Sequence, residues 1–256
     1  MASCPSWLRL LASPHHLATL LLGITTCLLT VTTIPPSSAL YLARTDSVSS
    51  SPGDAAAPST VWFGNTGYCT TDGSDGHSHI QCSGAVFGYD IESILAPDGT
   101  SSEETTSAIS LVLTRGPAVL HPVATVLSLL SMAAHQSILR RPRAKAYALA
   151  MGSGLLGLLV TCVAFIFEHS LLAYVAAVTR LATADAATAA RFSATDGPLA
   201  DVVMGIMALQ LAACVVGFYT CIGGKYRCEG DIRLEDDGEG VARHRSSSVV
   251  DEKCPL

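Results

Sequence analysis

The chain has 256 residues, of which 49% are hydrophobic and only 14% charged, with a formal net charge of −6. Soluble domains carry roughly 25% charged residues, so the composition points to a membrane protein with the lipid bilayer as its first partner, and no nucleic-acid partner is expected. No phosphate loop, dinucleotide fingerprint, HExxH or GxSxG pattern occurs, so neither an enzyme nor a bound cofactor is expected.

Residues 1–16 lead into a first apolar segment, residues 17–34. Arg9 ahead of it and Ser37-Ser38-Ala39 behind it resemble a signal peptide with a small-residue cleavage site. The run is longer than the roughly 7 to 15 residues of a signal core, which favours a retained helix. Cleavage would leave three spans rather than four and change no assignment of sides.

A long loop, residues 35–116, follows. Its portion from Ala43 to Thr60 is rich in Ser, Ala and Pro without apolar periodicity, which predicts a flexible spacer and a candidate for O-glycosylation. The chain's single Asn stands in Asn65-Thr66-Gly67, which lacks the hydroxyl residue two positions on that an N-glycan acceptor needs. From Val61 the composition turns to aromatic, Gly and Cys, predicting short strands and tight turns: a small β-rich ectodomain with Asp72–Gly76 as the loop between two Cys-bearing strands. The acidic, Ser/Thr-rich stretch from Asp90 to Thr114 is expected to lie along the membrane surface.

Three more apolar segments follow at residues 117–139, 147–167 and 202–222. Each approaches the roughly 20 residues that cross a hydrocarbon core, and without water to bond the backbone each should be a helix. The run over residues 147–167 continues at helical spacing through Leu171, Leu172, Val175 and Val178, which suggests an extension packed on the ectodomain. Residues 168–201 form a second loop with an Ala/Thr-rich stretch from Thr179 to Pro198 that carries no motif, and residues 223–256 read as a disordered polar tail.

Lys and Arg gather on the cytoplasmic side of membrane helices. The connection at residues 140–146 holds Arg140, Arg141, Arg143 and Lys145 and no acid, whereas the loop over 35–116 has only Arg44 and Arg115 against nine acids. The long loop is therefore expected outside, with both termini cytoplasmic. Small residues at helical spacing, Ala146, Ala150 and Gly154, Ser153 and Gly157, Ala208 and Ala212, Ala213 and Gly217, let helix backbones approach closely. They predict a four-helix transmembrane bundle, with a homo-oligomer as the weaker option. His135, Gln136 and Gln210 are the main polar side chains within the spans, and no row of acids or bases suggests a proton or ion path.

Of nine cysteines, only Cys69 and Cys82 fall in the exterior loops, where conditions are oxidising. A disulfide between them is the expected reading, stabilising a small ectodomain by roughly 3 kcal/mol. The alternative is a zinc site of Cys69, His77, His79 and Cys82, which lacks the short spacings of zinc fingers and demands free thiols outside the cell. His77 and His79 sit among Asp72 and Asp75, and His169 follows Glu168; neighbouring carboxylates favour the charged imidazole, making the three histidines candidates to titrate with external pH. The plainer alternative is an ordinary solvated loop. Cys221 and Cys228 flank the end of the last helix beside Lys225 and Arg227, a setting for palmitoylation or for free reduced thiols.

An early membrane helix, then Trp62-Phe-Gly64-Asn-Thr-Gly67-Tyr-Cys69, then Cys82-Ser83 and Gly88-Tyr89-Asp90, then Ala118-Val-Leu-His121-Pro122-Val-Ala on entering the second helix, resembles the fungal PalI family. That family is claudin-like in layout: an all-α membrane protein of four helices with a Trp/Gly/Cys/Cys outer loop. The resemblance implies a plasma-membrane protein of ambient-pH signalling that assists a seven-helix pH sensor at the cell surface. Close relatives instead organise eisosome-type membrane domains.

Overall fold

The structure is a computed structural model that describes residues 14–34, 36–37, 39–49, 60–72, 79–95, 104–140, 144–185 and 190–236. Ten elements follow in chain order. They are α1 (Pro14–Thr32), β1 (Ala43–Ser49), β2 (Thr60–Gly64), β3 (Gly67–Asp72), β4 (His79–Cys82), α2 (Ile91–Leu95), α3 (Glu104–Arg140), α4 (Ala144–Asp185), β5 (Ala190–Asp196) and α5 (Pro198–Asp236).

Among the described residues, four helices are long and apolar enough to cross a membrane, over Pro14–Thr32, Ala108–Arg140, Lys145–Arg180 and Pro198–Thr220. α4 has 42 residues; at about 1.5 Å per residue it is roughly twice as long as the ~30 Å hydrocarbon core, so one end must project beyond the bilayer. Both α1 and α5 open on Pro, whose fixed φ suits a first helical turn and whose missing N–H is not needed there. α3 continues through Pro117 and Pro122, each of which removes a backbone bond inside the helix.

The chain packs as two compact units. One, residues 27–125 and 159–207, holds the sheet and the helix segments around it. Its strands are all antiparallel, in the order β4-β3-β2-β1-β5. Leu42, Val61, Phe63, Tyr89, Ile91 and Leu95 are buried with Leu171, Val175 and Leu199. Leu172 and Val178 pack against that core, so the α4 extension meets the sheet as its helical spacing predicts. A second cluster brings together Leu29 of α1, Ala124 of α3, Val160 of α4 and Ile206 of α5.

In the other unit, residues 1–26, 126–158 and 208–256, small residues mark the helix contacts. A methyl group on Gly154 would stand 3.2 Å from Ser131 Oγ and 3.4 Å from Cys214 Sγ. Gln210 Nε2 donates to Ser128 Oγ at 3.2 Å, and His135 Nδ1 lies 2.9 Å from the Ser131 carbonyl. Gln210 is thus bonded across two helices and His135 within its own, while Gln136 is exposed.

The structure differs from the sequence reading in four places. The spacer expected over Ala43–Thr60 begins as β1, the strand between β2 and β5. The motif-free stretch expected over Thr179–Pro198 holds the end of α4 and β5. The stretch from Asp90 to Thr114 does not simply line the membrane: α2 buries Ile91 and Leu95 in the core against the sheet, and α3 already begins at Glu104. The helix expected to end at residue 222 runs on to Asp236. In each case backbone pairing or helix propagation overrides a composition that carries little apolar signal.

Candidate functional site

Trp62 is opposite Arg44 on one side and Cys69 on the other, and Cys69 is opposite Cys82. Arg44, Trp62, Cys69 and Cys82 therefore form one row across four strands, on one face of the sheet. Cys69 and Cys82 are disulfide-bonded, which consumes both thiols and overturns the zinc alternative. The Arg44 guanidinium sits 5.9 Å over the Trp62 ring and pairs with Asp46 at 2.8 Å. Trp62 is thereby buried although it lies on the face opposite the Val61 and Phe63 core.

The Gly88-Tyr89-Asp90 triplet divides its tasks. Gly88 has φ +88°, and a methyl group there would lie 2.5 Å from Arg115 Cγ, so backbone and α3 side chain meet closely. The Tyr89 ring stacks on Phe63 at 6.0 Å, and its hydroxyl donates to the Gly64 carbonyl at 2.7 Å. Burial pushes the Tyr89 phenol well above its ordinary range, so it stays a neutral donor. Asp90 Oδ1 accepts from the Glu92 N–H at 3.1 Å and starts α2.

Gly64 and Gly67 are paired across the β2–β3 turn, which leaves Asn65 and Thr66 at its tip. Gly67 has φ +151°, and a methyl group there would strike the Gly84 carbonyl oxygen. The tip reaches the helices: the Thr66 hydroxyl donates to the Thr33 carbonyl at 3.1 Å, and Asn65 Nδ2 donates to Glu168 Oε1 at 2.7 Å. The same Glu168 oxygen lies 2.8 Å from His121 Nε2. Asn65, His121 and Glu168 are each no more than 1% exposed.

This cluster joins the chain's single Asn, on the β2–β3 turn, to α3 and to the only acid within the Lys145–Arg180 segment of α4. A carboxylate oxygen can only accept, so with Glu168 ionised the contact requires a proton on His121 Nε2. Asn65 Oδ1, His121 Nδ1 and Glu168 Oε2 find no partner among the described residues, which marks the cluster as costly. It is sealed from solvent, and what it can do is hold a proton and fasten the turn to two helices.

His121 belongs to the motif found by sequence, next to Pro122 inside α3. Asn65 and Glu168 escaped as partners. The available signals were an acid at the end of an apolar run and the chain's one Asn between two motif glycines. His169, beside Glu168, points elsewhere: it is exposed and its ring lies 4.2 Å from that of Phe165. His77 lies outside the described residues, and so do the side chains of His79, Cys221 and Cys228.

The described geometry, four apolar helices and a disulfide-linked antiparallel sheet, is claudin-like. A family model, that of the SUR7/PalI family, matches residues 8–220. The chain belongs to the SUR7/PalI family. A comparison with individual curated proteins gave no match. As a SUR7/PalI protein with four candidate spans among the described residues, it is a multi-pass membrane protein.

Proposed function

We propose that this SUR7/PalI protein is a non-catalytic plasma-membrane accessory of fungal ambient-pH signalling that assists a seven-helix pH sensor at the cell surface. The observation that supports this reading is the buried Asn65–Glu168–His121 cluster. It fastens the ectodomain turn to two candidate membrane helices through a pair able to hold a proton, and it has no opening for a substrate. Such a site suits presentation of an ectodomain to another membrane protein.

A second reading, a structural organiser of eisosome-type membrane domains, is favoured by the family itself, whose description joins SUR7 with PalI. A deletion strain separates the two. Failure to grow at alkaline pH with the sensor lost from the surface is the expected result. Normal alkaline growth with dispersed cortical patches would instead establish the organiser.

A further inference from the structure

The loop between β4 and α2 carries two apolar side chains that the protein leaves uncovered: Phe87 is 66% exposed and Val86 37%. They are not on a free-swinging tip. The Val86 N–H donates to the Thr66 carbonyl at 2.8 Å, and the Thr66 hydroxyl is bonded to Thr33, one residue beyond α1. On the other side of Phe87, Gly88 lies against Arg115 of α3, and the Tyr89 N–H donates to Thr114 Oγ1 at 3.1 Å.

Phe87 is therefore held between the end of one candidate span, Pro14–Thr32, and the interior of another, Ala108–Arg140. Ile34, just past the first span, is 54% exposed, and Val119, one turn from Arg115, is 52% exposed. On a helix that crosses a bilayer, exposed Val faces lipid, and the Phe87 loop meets the same helix at Thr114 and Arg115. Arg115 is exposed beside it, and a long cationic side chain at this level lays its methylenes along apolar surface while its guanidinium reaches lipid phosphate.

We infer that Val86 and Phe87 form a membrane-contacting wedge, seated in the headgroup and upper acyl region of the leaflet on the ectodomain side, with Arg115 as its phosphate partner. An aromatic residue beside a cation suits that interface. The wedge would fix the height of the sheet above the bilayer, since the same loop is bonded to the β2–β3 turn.

The test places tryptophan at position 87. Full-length Phe87→Trp, with the Cys69–Cys82 disulfide intact, is reconstituted in phosphatidylcholine vesicles, and the emission of the unsubstituted protein, from Trp7 and Trp62, is subtracted. The added indole should emit to the blue of a water-exposed indole. Lipids brominated near the glycerol end should quench it more strongly than lipids brominated near the chain end, and aqueous iodide should quench it little. Quenching by iodide with no response to lipid bromine would overturn the wedge by placing the loop in water. Silence toward both quenchers would overturn it too, by placing the loop under protein, including a second copy of this chain. Val86→Trp provides an independent reading if the first variant does not fold.

Discussion

Asn65, His121 and Glu168 show how much can turn on single side chains. One carboxylate oxygen serves two donors at 2.7 and 2.8 Å; removing it leaves an amide and an imidazole buried without their acceptor. Truncating one partner of a buried pair costs about 3–5 kcal/mol, so Glu168→Ala should lower stability by that order in detergent unfolding. Glu168→Ala with His121→Ala should cost clearly less than the sum of the two single changes, because the second removes a group that the first left unpaired. Simple additivity would show that the contact carries no energy. Trp62, Gly67, Gly88, Tyr89 and Asp90 drew notice in the sequence through the resemblance to the PalI family. The Asn65–Glu168 bond did not: its partners are 103 residues apart, and neither stands in a local pattern that names the other.

Elements were legible in proportion to their apolar content. The helices announce themselves by long apolar runs, and β2 and β3 by aromatic residues and flanking glycines. β1 and β5 do not, because ARTDSVS and ARFSATD are largely polar and pair with each other residue for residue from Ala43↔Asp196 to Ser49↔Ala190. Their strand character comes from the ladder and not from propensity. The disulfide works at this scale as well, tying β4, a four-residue edge strand, to β3. Cys69→Ser with Cys82→Ser should cost about 3 kcal/mol, the order expected for a cross-link closing a short loop. The same loss should appear when reductant is added to the natural protein before thermal unfolding, and unchanged melting would show that the ladder alone holds the edge.

At the scale of the whole molecule, apolar runs predict four crossings and the Arg140–Lys145 connection predicts their direction. An epitope inserted at Asp75 should be stained on intact cells, and one after Leu256 only once cells are permeabilised. The reverse pattern would invert the arrangement and place the histidines of the ectodomain on the cytoplasmic side. By itself the sequence determined the spans, the basic connection and the one pair of cysteines in the long loop after the first span, because hydropathy and charge act on each segment without reference to its neighbours. Only the tertiary structure decided that β1 and β5 complete the sheet and that Asn65 meets Glu168 and His121. Those contacts join residues distant in the chain, and their energy exists only once register and packing bring the groups together.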